Sequence, residues 1–202
     1  MDLKFFIIAA FLSFVHLANA DENWKLELEK EGITVYTRIS ERSHFKEFRG
    51  EITLNASITE IAGIIADVER YPEWCYKTTL VTVIDNDSVS TRYYYVSQTP
   101  AFMKTRVGFF ESRRMHNRQT GEVIFSLHNY ESGKELSDDC LLIPIMEGYW
   151  RLTPLDGGMV HITMQMLTEP GGIIPAWIAN MVVVDSPFVT LRNLVARLKA
   201  EK

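Results

Sequence analysis

The chain has 202 residues, 47% of them hydrophobic and 11% aromatic, with 21 basic against 26 acidic side chains and a net charge of −5. That much apolar material builds one sizeable core and excludes a disordered chain, and 11 Gly with 7 Pro are too few for a collagen-like array. The acidic balance gives no basic footprint for a phosphate backbone, so no nucleic acid partner is expected.

Lys4 precedes an apolar run from Phe5 to Leu17, and Ala18-Asn19-Ala20 forms a small-x-small cleavage pattern before Asp21-Glu22. About 13 apolar residues fall short of the roughly 20 that cross a bilayer. Residues 1–20 therefore read as a secretory signal peptide cleaved after Ala20, and residues 21–202 as one exported, periplasmic domain. Cys75 and Cys140 form no CxxC, which argues against a thiol oxidoreductase or a zinc ribbon. An oxidising compartment leaves both a disulfide and two separate thiols open.

A turn at Gly32 separates an alternating stretch at 24–28 from another at 33–39, and a third runs over 45–54. Asn55 or Ser57 then caps a helix whose Ile58, Ile61, Ile64, Ile65 and Val68 keep helical spacing until Tyr71-Pro72 stops it. Strands are predicted at 79–84, 89–97, 106–115, 122–130, 142–153 and 160–168. The turn signals between them, such as Asp85-Asn86-Asp87 and Asp156-Gly157-Gly158, suit antiparallel neighbours. The chain closes with a helix over 174–199, about 39 Å long at 1.5 Å per residue.

This order predicts an α+β fold, with a curved antiparallel sheet of about eight or nine strands wrapped around the long C-terminal helix that covers its concave face. The helix carries an apolar stripe that includes Trp177, Ile178, Met181, Val184, Phe188, Leu191, Val195 and Leu198. Val160, Ile162, Met164 and Met166 share one face of their strand, as do Met146, Trp150 and Leu152 of theirs. Met and large aromatics suit a wall that moulds to a greasy guest, but they fill a core equally well. Periodicity leaves a filled and a hollow interior both open.

Residues 169–180, Glu-Pro-Gly-Gly-Ile-Ile-Pro-Ala-Trp-Ile-Ala-Asn, resemble the acidic-Pro-Gly-Gly, x, x, Pro, x, Trp stretch of START domains, the lipid-binding helix-grip module related to steroidogenic acute regulatory protein. Gly32-Ile33-Thr34-Val35-Tyr36, the Asp67-to-Trp74 segment and Gly148-Tyr149-Trp150-Arg151-Leu152-Thr153-Pro154 are similar to further motifs of that family. The resemblance covers 24–198 and is strongest in the C-terminal third. One departure is that Arg106 is followed by Val107, where the family usually has Arg-Asp. The resemblance implies a tunnel for one lipid or sterol-like molecule, gated by the last helix and the 98–104 loop. No cofactor, metal or catalytic residue is expected.

Lining candidates are Trp177, Ile178, Met181, Val184 and Phe188 on the helix, Phe109, Phe125, Trp150 and Met164 on strands, and Phe102 and Met103 on the loop. Relatives often hold a buried acid and arginine in the cavity, a part open to Glu73 with Arg92; Arg106 is a competing strand charge. Pro100-Ala101-Phe102-Met103, flanked by Lys104 and Arg106, has the composition of a finger that touches a membrane transiently. The four histidines of residues 21–202, His44, His116, His128 and His161, are scattered, and HExxH, GxSxG and phosphate-loop patterns are absent. The leading expectation is thus non-enzymatic binding and transfer of a hydrophobic ligand by a monomer. The alternative is an acid/base enzyme of the cyclase or hydrolase type, using Glu73, Glu111 or His161 on a hydrophobic substrate.

Overall fold

The computed structural model describes residues 23–174 and 176–200, with the side chains of all of these except 176–182. The segment read as a signal peptide lies outside the described residues. Strands β1 (Lys25–Lys30), β2 (Ile33–Ile39) and β3 (Lys46–Asn55) lead into helix α1 (Ile58–Ala66) and a single helical turn, α2 (Tyr71–Trp74). Next come β4 (Thr78–Asn86), β5 (Ser90–Ser97), β6 (Thr105–His116), β7 (Val123–Asn129), β8 (Cys140–Leu142), β9 (Ile145–Leu155) and β10 (Met159–Glu169), and α3 (Ala176–Ala200) closes the order. The sheet runs β1-β2-β3-β10-β9-β7-β6-β5-β4, with every neighbour on that path antiparallel. The curved sheet and terminal helix form the expected α+β helix-grip architecture.

The tenth strand is β8, which pairs in parallel with the start of β6. The expected strand over 142–153 breaks in two because Pro144 has no N–H for a ladder. Before the break, the Ile143 amide donates to the Val107 carbonyl (2.8 Å); after it, Ile145 starts the pairing with β10. Ser57 caps α1: its side chain accepts from the Thr59 amide (3.2 Å), while Glu60 accepts from the Ser57 amide (3.3 Å). The helix stops at Ala66 instead of continuing to Tyr71, and Pro72 lies in the first turn of α2, where a missing N–H is harmless.

Strand alternation sends Phe48, Gly50 and Ile52 of β3, Ile162, Met164 and Met166 of β10, and Trp150 and Leu152 of β9 to the concave face. Register aligns them sideways, so Gly50, Met164, Trp150 and Phe125 form one row across four strands. On that row α3 comes down onto β3. A Cβ added to Gly50 would lie 2.7 Å from Pro187 Cβ and 2.9 Å from Leu191 Cδ1, so only the absence of a side chain allows this approach. Leu191 and Leu194 are fully buried and Leu198 nearly so, and this half of the helix packs on β2 and β3. Pro187 lies inside the helix and has no amide proton to give the Val183 carbonyl, so the helix is weakest where it meets the sheet.

Gly50→Ala is expected to lower stability by about 1–3 kcal/mol through overpacking under Pro187. Gly63→Ala, in α1 with open space around its Cβ position, is expected to raise stability by up to about 1 kcal/mol. Thermal and denaturant unfolding of the two variants checks the opposite signs.

Candidate functional site

Beside Val183, Ser186 and Thr190, space is left between α3 and the concave wall, and it forms a two-part cavity. The outer part, about 160 Å³, opens between the 98–104 loop, the 170–174 turn and the start of β3. The inner part, about 60 Å³, lies over Phe125, Trp150, Met164 and Met166. Tyr76, Tyr95, Met146 and Ser186 line both parts and form a waist between them. Larger hollows of about 420 and 440 Å³ lie on the surface, one beside the β4–β5 hairpin and one beside the 39–42 turn, but their walls are mostly polar and charged side chains.

The inner chamber is largely apolar, and several of its polar groups are bonded to protein. Tyr71 donates its hydroxyl to the Ile65 carbonyl (2.8 Å), Tyr95 and Thr78 share a hydrogen bond (3.2 Å), and the Tyr76 amide donates to Thr190 Oγ1 (3.1 Å). The Tyr93 hydroxyl, on the same wall, has no hydrogen-bond partner among the described residues. Burial pushes the Tyr71, Tyr93 and Tyr95 phenols up from their ordinary values and does the same to the Cys75 thiol, so all four stay protonated and neutral. Cys75 and Cys140 are separate thiols.

Arg106 stands at the mouth. Only 4% exposed, it donates from Nε to the Pro170 carbonyl (3.2 Å), from one terminal nitrogen to the Lys104 carbonyl (2.6 Å) and from the other to the Gly171 carbonyl (3.1 Å). One side chain therefore ties the end of the 98–104 loop to the turn before α3. Gly171 and Gly172 hold positive φ (70° and 67°), and a Cβ on Gly171 would come within 2.5 Å of the Leu142 carbonyl, so the turn needs glycine to reach Arg106. Phe102 and Ile173, 82% and 99% exposed, project from the two rims.

The structure brings Trp150, Met164 and Phe125 together around the inner chamber, and Met103 and Arg106 around the mouth. Three other expectations are corrected. Phe109 lies on the opposite face of β6, packed against Tyr94 and Tyr130, because its neighbour Phe110 takes the inward position. Glu73 and Arg92 form no cavity pair: Glu73, half exposed, is bound by Arg70 and Arg197, and Arg92, also half exposed, by Glu111, and none of the five lines the cavity. Helix α3 is also turned from the expected orientation, so Val183, Ser186 and Thr190 line the cavity while Val184 packs against the core. Phe188, likewise outside the lining, is buried with Lys30 and Arg192 near its ring. The reason is Pro187, which must lie flat on Gly50. The side chains of Trp177, Ile178 and Met181 lie outside the described residues.

Sequence reading missed the waist. Tyr93 and Tyr95 share a parity on β5 that puts both on one face, but parity does not say which face is concave. Tyr76 follows α2 in a loop, with no periodic signal at all. Ser186 and Thr190 give no signal of their own, because a polar position on an apolar helix reads as the solvent side.

No protein-family model matches the chain. An uncharacterized protein of Pseudomonas aeruginosa is 29% identical over 181 residues, 90% of this chain and 88% of that one. Among solved structures, a STAR-related lipid transfer protein from Xanthomonas axonopodis is 29% identical with a TM-score of 0.79, over 88% of this chain and 99% of that one. The human StAR-related lipid transfer protein 5 shares the fold at 14% identity with a TM-score of 0.79, over 90% of this chain and 89% of that one.

The charged cluster at Glu73 sets a pH dependence. Hydrogen bonds from Arg70 and then Arg197 hold its carboxyl down from 4.5 to about 2. Because the folded value lies below the unfolded one, the tie between α2 and the end of α3 is fully present above about pH 4.5 and is lost as pH falls toward 2. Glu73→Gln is expected to flatten the acid limb of the stability curve in that window, as measured by denaturant unfolding across pH.

Proposed function

Because the chain is a START-like helix-grip domain, we propose that it binds one hydrophobic small molecule between α3 and the concave wall and carries it without changing it chemically. The observation that carries this reading is the apolar two-part cavity, open at one end and walled by Met and aromatic side chains. Transfer of an apolar tail from water to that wall is favourable by roughly 25 cal/mol per Å² buried. The cavity is smaller than the roughly 300–1,000 Å³ of ordinary ligand pockets, so loading requires the walls to move. Pro187 supplies the hinge, with the N-terminal half of α3 as the moving part and the C-terminal half held on β2 and β3.

The cavity wall also weighs against the enzyme reading. Among the described residues, no carboxylate or imidazole lines either part. Glu111 bonds to Arg92 and Arg113, and His161 to Thr53 (3.1 Å), in each case away from the chamber. The neutral Cys75 thiol is a poor nucleophile. General acid/base chemistry on a bound guest would lack its proton carrier.

Export completes the proposal: residues 1–20 act as a cleaved signal peptide, and the domain shuttles cargo in the periplasm. Phe102 and Ile173 dip into a membrane while Lys104 and Lys77 meet its anionic headgroups.

Native mass spectrometry and lipid extraction of protein purified from its own host are expected to show one co-purifying amphiphile, unchanged on incubation. Ser186→Phe, which fills the waist, should empty it while far-UV circular dichroism stays native. A persistently empty wild-type protein contradicts the carrier, and turnover of the bound molecule favours the enzyme. Phe102→Asp should slow transfer from anionic liposomes several-fold and leave equilibrium ligand load unchanged; an unaltered rate removes the membrane finger.

A further inference from the structure

A carrier of greasy molecules still has to recognise a head, and the charge distribution along the cavity identifies its sign. The inner chamber has no charged side chain among its described lining residues; its polar groups are hydroxyls and one thiol. The mouth has three cations, Lys46, Lys77 and Arg106, and no carboxylate among its described lining residues. That asymmetry occurs in a chain whose acids outnumber its bases by 26 to 21.

The three cations are not equivalent. Lys46 is shared with Glu27, just outside the cavity, at 3.3 Å. Lys77 lies over the Tyr76 ring, 5.1 Å from its centroid, and has no ion-pair partner among the described residues. Arg106 is the most exacting. Three of the roughly five N–H groups a guanidinium carries are given to backbone carbonyls, and the others have no partner among the described residues. Carbonyl dipoles solvate a cation but do not cancel its charge, and a cation held out of water is strongly disfavoured until an anion joins it.

We propose that the cargo is a single-chain anionic amphiphile. Resting on the carrier reading above, this assigns its head, a carboxylate or a phosphate monoester, to Arg106 and Lys77 at the mouth. Its chain passes the waist between Tyr76 and Met146 into the inner chamber. A guanidinium accepts both head types in a two-pronged geometry, and Lys77 adds a mobile charge. One chain, rather than two, follows from the single waist that joins the outer and inner parts, since a second chain would have to widen the same passage again.

The test is equilibrium binding by native mass spectrometry of the mature protein with amphiphiles that share a hexadecyl-length chain: palmitate, monohexadecyl phosphate, hexadecanol and hexadecyltrimethylammonium. Dipalmitoyl phosphatidate serves as the two-chain anion. Both single-chain anions should bind at least about tenfold more tightly than the alcohol, and the ammonium most weakly. Whichever anion is tighter identifies the head as carboxylate or phosphate, and either result supports the inference. Lys77→Asn keeps the left-handed backbone at φ 53° that asparagine tolerates, and it avoids the loop ties of Arg106. It should weaken the anions about threefold and leave hexadecanol unchanged. Equal affinity for the four single-chain probes overturns the anionic head while the hydrophobic carrier stands. Preference for the phosphatidate overturns the single chain. Binding of none of the five overturns both the inference and the carrier reading beneath it.

Discussion

The architecture depends on one close approach, that of Pro187 and Leu191 to the bare backbone of Gly50. Where the sheet offers no side chain, the helix can touch it, and from there to Leu198 the two surfaces pack as an ordinary core. Met164, Trp150 and Phe125 stand up from the same row of the sheet and wall the inner chamber together with Ser186 and Thr190 of the helix. Contact on β3 and space over β10, β9 and β7 lie along a single line of residues, glycine first and large side chains after it. The cavity is the geometric remainder.

Polarity follows the same axis. Deep inside, burial keeps phenols and a thiol neutral, and Tyr71, Thr78 and Tyr95 are bonded to protein. The cations gather at the mouth, Arg106 buried there on three backbone carbonyls. Such a gradient discriminates by partition: an apolar segment is favoured inward and an ionised one outward, so a guest has one orientation of low energy.

Much of the fold was legible because strands and helices announce themselves by period. The alternation of Val160, Ile162, Met164 and Met166, the Ser57 to Glu60 capping box, and the length of the last helix all express local geometry that neighbours do not override. What was illegible depended on rotation and reach. The turn of α3 about its own axis is set by Pro187 against Gly50, two residues far apart in the chain with no shared pattern, so Val184 and Phe188 were assigned to a wall they do not form. Glu73 and Arg92 were paired by their place in the order of elements, but each finds a nearer partner on the surface, where pairing needs no desolvation. Arg106 was named as a site residue, yet its grip on three carbonyls, two of them 64 and 65 residues away, has no trace in any window of sequence.

That grip has a mechanical consequence. A single planar group clasps both rims of the aperture, so neither rim can swing outward without stretching bonds to the other. Two loops that would otherwise fluctuate independently are yoked into one shutter, and partial release gains little until all three bonds have gone. Removing that one side chain would uncouple the two rims at a stroke.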